Sequence, residues 1–225
     1  MKKMTALLLA VFLPAALMIA YRMRQTTAFA SVELIVYPLL FGGAGIALIL
    51  LLKTKFLRES LSDFNVPPGR VAVDLAWGVA LAAAYFVLFF LDRPLRGFLP
   101  SQPNTELLGL MLDMRENPWL LVAWFGPVLW IGIALYEELL RAFLLTTAWS
   151  FSNRRAWAVL VVILAAILFG VLHWPQGSFG IVSIAIKSIV TGGFYYYRRR
   201  LLPLVVAHVL YDGLQVAALL ITYPR

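Results

Sequence analysis

The chain has 225 residues, 62% of them hydrophobic and 13% charged, with a mean hydropathy of +0.87. Soluble domains run near 45–50% apolar and about 25% charged, so an ordinary soluble domain is excluded, and so is a disordered chain. There is no cysteine, which removes disulfide scaffolds and thiolate chemistry. A net charge of +8 would suggest nucleic acid in a soluble protein. Here the basic residues stand between apolar stretches, where they act as topology signals and as contacts for anionic lipid. The expected partner is membrane lipid, with no nucleic acid. What remains is an all-α, polytopic membrane protein, a transmembrane helix bundle of seven to eight spans.

A spanning helix needs about 20 mostly apolar residues. Seven stretches qualify: residues 5–21, 31–52, 71–91, 119–149, 156–174, 179–197 and 202–223. The first has Lys2-Lys3 before its apolar run and the cleavage-like triplet Ala28-Phe29-Ala30 after it. Arg22 and Arg24 intervene, and a 17-residue run is long for a signal peptide. A retained first span is therefore expected. The loop from residue 91 to 118 carries Pro94, Pro100, Pro103 and Pro118 and resembles a cap on the outer side. Within it, residues 107–114 form a short interfacial segment, the eighth candidate. The stretch 119–149 has 31 residues, about 46 Å of helix, more than a hydrocarbon core of ~30 Å. It must tilt, protrude or kink, and Gly126-Pro127 is the expected kink.

Lys and Arg alternate unevenly between the two sides. One side collects Lys2, Lys3, Lys53, Lys55, Arg58, Arg70, Arg154, Arg155 and Arg198-Arg199-Arg200, eleven in all, and the other Arg22, Arg24, Arg93, Arg96, Arg115 and Arg225, six in all. This bias places the N-terminus in the cytoplasm of a plasma-membrane protein.

Ionisable side chains inside a bilayer cost a few kcal/mol each on insertion scales. Those well inside the spans are Glu137, Glu138, Arg141, His173, Lys187, His208 and Asp212, all in the last four spans, and they include both histidines of the chain. The first three spans show only Glu33 and Asp74, near their ends. The chain thus reads as one membrane domain with a three-span packing region, residues 1–100, and a four-span catalytic-type region, residues 101–225.

Spacing sharpens this. Glu137 and Arg141 are i,i+4 and share a helix face, while Glu138 is turned about 100° away and reaches Arg141 at i,i+3. His208 and Asp212, and Phe169 and His173, are also i,i+4 pairs. Lys187 can pair with Asp212 or a glutamate. Two histidines and carboxylates suit Zn²⁺ or a similar divalent ion, with His173, His208, Glu138 and Asp212 as the ligand set. A carboxylate outside that set can act as general base on water. The same residues could instead hold helices together by hydrogen bonds worth about 1 kcal/mol each.

These residues resemble the CPBP intramembrane metalloprotease family, also called the CAAX prenyl protease 2 (Rce1-like) or Abi family. Its pattern is E-E-x-x-x-R, F-x-x-x-H and H-x-x-x-N/D on three membrane helices. Phe169-Gly170-Val171-Leu172-His173 matches the second part and His208-Val209-Leu210-Tyr211-Asp212 the third. The first part reads Tyr136-Glu137-Glu138-Leu139-Leu140-Arg141, with the acid pair one residue closer to the arginine. Aligned on Arg141, the family's two glutamates fall on Tyr136 and Glu137. Aligned on the acids, they are Glu137 and Glu138. The resemblance implies an intramembrane endopeptidase acting on a peptide or protein substrate. Its catalytic residues would be Glu137, Glu138, His173, His208 and Asp212, with Arg141, Phe169 and Tyr136 in orienting roles. Glu137 is the base if Arg141 pairs with Glu138. A route without metal, in which glutamate and histidine alone activate water, is equally compatible. In that route the third-motif pair would form an oxyanion hole, which Asp212 fits poorly because an ionised carboxylate only accepts. The alternative is a non-proteolytic scaffold of the bacteriocin-immunity type. A proton-coupled transporter is more distant, since the chain shows no internal repeat.

Overall fold

The computed structural model describes residues 1–24, 30–66, 69–100 and 105–223. Ala28, Phe29, Pro103 and Arg225, used above for processing, loop and topology, lie outside the described residues. The described chain is helical, without a strand. Its helices are α1 (Lys2–Arg24), α2 (Glu33–Phe56), α3 (Val71–Leu91), α4 (Thr105–Arg115), α5 (Pro118–Trp149), α6 (Arg155–Leu172), α7 (Gly177–Arg198) and α8 (Leu202–Thr222). Among the described residues seven helices are long and apolar enough to cross a membrane. They match the seven stretches expected from sequence. α4 is the eighth segment, and its 11 residues make about 16 Å of helix, too short to cross.

The chain divides into two compact units that interleave along the sequence. The first comprises Met1–Leu61, Thr105–Phe143 and Asp212–Arg225, the second Ser62–Asn104 and Leu144–Tyr211.

In the first unit, α1 packs on the second half of α2, burying Ala6 and Ala10 completely. Lys53 of α2 is also buried, and its ammonium donates to Glu59 at 2.6 Å, while Lys3 of α1 reaches the same carboxylate at 3.1 Å. Burial raises the pKa of Glu59, but the hydrogen bonds and positive charges of Lys53 and Lys3 outweigh it and hold the carboxyl below its ordinary value. A carboxylate depressed on folding contributes stability above its unfolded pKa of about 4.3 and loses it as pH falls through the folded value. Glu59→Gln is therefore expected to be less stable than the parent near neutral pH, with the gap closing on acidification below about pH 4. Unfolding in detergent at several pH values measures this, and a gap independent of pH would contradict it.

α2 crosses α5 at backbone distance. A Cβ on Gly132 would lie 2.7 Å from the carbonyl of Pro38, and one on Gly42 would collide with the carbonyl oxygen of Gly132. Gly45 leaves the notch that the Tyr136 ring fills. Small residues let membrane helices approach this closely, and the crossing sets the position of the acid pair that follows Tyr136.

α5 begins at Asn117, whose side chain accepts from the backbone N–H groups of Trp119 and Leu120, with Pro118 in the first turn. The expected kink is present: Gly126 has φ −88° and ψ −112°, and wide π-type turns run from Trp124 to Leu135. Pro127 offers no N–H to the preceding turn and its ring displaces the carbonyl four residues back. At the other end of this unit Arg115 donates to the carbonyls of Leu220 and Tyr223, tying α4 to the end of α8.

In the second unit, α6 and α7 form a tight hairpin. A Cβ on Gly170 would meet the Ile181 carbonyl oxygen and the Ala185 methyl, and one on Gly192 would meet Val162 at 2.9 Å. The turn Trp174-Pro175-Gln176 ends at Gly177, whose φ of 78° favours a residue without a side chain. α3 is clasped to α7 and the residues just after it at three levels. Asp74 receives hydrogen bonds from the Arg200 Nε and Nη2, Tyr85 and Thr191 share a hydroxyl hydrogen bond of 2.5 Å, and the Ser183 hydroxyl donates to Asp92. Lys53, Asp74 and Asp92 are all buried. Buried charge is thus not confined to the last four spans, as the sequence suggested. The N-terminal spans bury it too, in pairs that apolar composition conceals.

Candidate functional site

The first unit carries Tyr136, Glu137, Glu138, Arg141 and Asp212, and the second carries Phe169, His173, Lys187 and His208.

On α5, Glu138 and Arg141 are both buried, and the Arg141 Nη1 donates to the Glu138 Oε2 at 2.7 Å. The i,i+3 pairing is realised. Both side chains lie on the buried face, where an unpaired charge would cost several kcal/mol, so the guanidinium goes to the buried acid. Glu137, a step of about 100° around the helix, is half-buried and makes no hydrogen bond or ion pair among the described residues. The two carboxylates are thereby separated in role: one neutralised by a cation, the other left as an acceptor. The Tyr136 ring is a packing element against α2. Asp212 stands half-buried on α8, one turn after His208.

On α6, Phe169 is buried. His173 is the residue immediately after the last helical position, so it stands at the helix end and not well inside a span, a correction to the sequence reading. Its Nδ1 lies 2.7 Å from the Phe169 carbonyl oxygen. A carbonyl only accepts, so Nδ1 carries the proton, and in the neutral ring Nε2 presents the lone pair. The same contact satisfies one of the orphan carbonyls of the helix terminus. The i,i+4 spacing of Phe169 and His173 therefore fixes a tautomer through the backbone, where the sequence pointed to a ring beside the imidazole. His208 is half-buried on α8.

Lys187 donates to the Tyr211 hydroxyl at 2.7 Å, and its ammonium also lies over that ring, 4.5 Å from the centroid. Tyr211 went unnoticed although it lies inside the H-x-x-x-D motif, because spacing along one helix carries no information about a partner on another. Its ring also packs against Tyr85 and Phe86 of α3.

A divalent ion needs three or more protein ligands in most catalytic sites. Among the described residues, neither unit on its own gathers three His, Asp or Glu side chains able to hold one. Glu138, one of the expected ligands, is engaged by Arg141.

The fold is that of a multi-pass, all-α membrane protein. Residues 118–214 match the model of the family described as Rce1-like, type II CAAX prenyl endopeptidase Rce1-like. No curated protein and no solved structure matches the chain.

Proposed function

We propose that the chain is a membrane endopeptidase of the Rce1-like type, hydrolysing a peptide bond in or near the bilayer, with Glu137 as the general base. The observation that carries this reading is the asymmetry of the acid pair: within the family-matched segment, Glu138 is neutralised by Arg141 while Glu137 makes no hydrogen bond or ion pair among the described residues. In the proposed step Glu137 takes a proton from water as the oxygen attacks the scissile carbonyl, then returns it to the leaving amine, so that water and peptide become acid and amine. The Nε2 of His173, with its tautomer set by Phe169, orients the water. His208 donates to the developing oxyanion, and Asp212 orients His208.

The test is cleavage of a prenylated peptide with a C-terminal C-a-a-X sequence by the purified protein in detergent. The parent is expected to cleave it and His173→Ala to lose about 10²-fold or more. Retention of the parent rate by His173→Ala would contradict the role given to the imidazole. Activity that survives chelation supports water activation by side chains, and activity lost on chelation and restored by zinc supports a metal.

We also propose that the N-terminus is cytoplasmic and the membrane is the plasma membrane, on the eleven-to-six bias of basic residues. The absence of native cysteine gives a clean background for labelling. In intact cells Ser152→Cys is expected to be protected from an impermeant maleimide and Glu116→Cys to be labelled. The reverse pattern would invert the topology.

A further inference from the structure

The outer face of α3 carries an open apolar trough of about 420 Å³, lined by Ala72, Val73, Ala76, Trp77 and Ala80. All five are exposed. Spacing of four residues repeats along Ala72, Ala76 and Ala80, so the trough runs about 12 Å along the helix. One of its walls is the Trp77 indole.

The Arg198 guanidinium lies over that same ring, 5.0 Å from the centroid. Its Nε is buried and has no hydrogen-bond partner. Arg198 makes no ion pair among the described residues. The nearest acid on α3, Asp74, is engaged by Arg200. Arg70, exposed at the start of α3, is three, seven and ten residues from Val73, Trp77 and Ala80, which places it at the head of the same stripe, and it too makes no ion pair among the described residues. The apolar trough thus shares its Trp77 wall with a cation that makes no ion pair among the described residues and has a buried, unsatisfied N–H, and a second such cation, Arg70, stands at the head of the same helical stripe.

We infer that this face of the second unit is a specific binding site for an anionic phospholipid. The phosphodiester accepts from the Arg198 guanidinium in charge-assisted hydrogen bonds, and an acyl chain lies in the alanine trough against Trp77. No polar side chain lines the trough, so nothing there would hold a peptide backbone. The site does not rest on the proposed peptidase activity, and its failure would leave that reading untouched.

The experiment is titration of the delipidated full chain in detergent with phosphatidylglycerol, phosphatidylcholine and inorganic phosphate, read by native mass spectrometry. The expected result is one phosphatidylglycerol bound tightly, with phosphatidylcholine and phosphate each weaker by about tenfold or more, and with Arg198→Gln weakening phosphatidylglycerol by about tenfold. Arg93→Gln/Arg96→Gln, at the opposite end of α3, should leave binding unchanged. If Arg198→Gln does not fold, Ala76→Trp decides, because it fills an exposed trough without removing charge and should abolish binding. Equal binding of phosphatidylcholine overturns the inference. So does binding of phosphate alone as tight as that of the lipid, which marks a free-anion site. Unaltered lipid binding by Ala76→Trp together with a changed oligomeric state also overturns it, and marks the trough as a contact between copies of the chain.

Discussion

Glu137→Gln is expected to lower peptide hydrolysis by about 10²–10⁴-fold, the contribution of a positioned general base, while leaving thermal stability near that of the parent. The reasoning rests on what each acid of the pair touches. Glu137 is half-buried and makes no hydrogen bond or ion pair among the described residues, so the amide removes a base without breaking a contact. Glu138→Gln should behave oppositely. It leaves Arg141 buried opposite a neutral side chain, and breaking one partner of a buried ion pair costs about 3–5 kcal/mol, so the loss shows first as a lowered unfolding temperature. Measuring initial rates and unfolding on the same preparations separates the two. If Glu138→Gln instead abolishes turnover at unchanged stability while Glu137→Gln keeps its rate, the base has been assigned to the wrong acid. If the Glu137→Ala/Glu138→Ala double variant keeps the cellular phenotype, the scaffold reading replaces the enzymatic one.

The spans were legible because apolar length is a one-dimensional signal, and Gly126-Pro127 was legible because a proline's missing N–H acts on its own helix. The acid pair was legible only as two alternatives. Arg141 can reach either glutamate, and the choice depends on which face is buried. Burial is a property of neighbouring helices, such as the crossing at Gly42 and Gly132 that sets the rotation of α5. His173 stands at a helix end because the helix closes at Leu172 before the turn Trp174-Pro175-Gln176, a boundary that apolar length alone does not mark. The clasps Lys53–Glu59, Asp92–Ser183 and Lys187–Tyr211 were invisible for a common reason. Each joins residues whose separation follows no helical period, and each gives a hydrogen-bond partner to a group that looks, in sequence, like an isolated charge near a span end or mid-span.

The largest stability effect is expected at Asp74. Its side chain is 2% exposed and receives hydrogen bonds from the Arg200 Nε and Nη2 at 3.0 and 2.5 Å. The Arg200 guanidinium is also confined sterically, since a Cβ on Gly69 would lie 2.6 Å from its Cζ. Around the same junction the Leu201 N–H donates to the Asn65 side chain, the Val66 N–H to the Arg199 carbonyl, and the Tyr195 hydroxyl to the Phe64 carbonyl. Arg199 itself has φ 50°, a left-handed conformation that costs a non-glycine residue about 1–2 kcal/mol and persists only where surrounding contacts hold it. The ion pair is therefore the centre of a polar junction joining the start of α3 to the turn between α7 and α8. Asp74→Ala leaves a half-enclosed arginine without its anion and should destabilise the second unit by about 3–5 kcal/mol. Arg200→Ala should cost a similar amount by stranding the buried carboxylate. Asp74→Leu/Arg200→Met should recover a large part of either loss, because replacing a buried pair by apolar residues of similar volume is often close to neutral. Unfolding of all four proteins in the same detergent, analysed as a double-mutant cycle, measures this. Single variants that lose less than about 1 kcal/mol would mean that water reaches the pair and that the hydrogen bonds around it, not the charges, hold the junction.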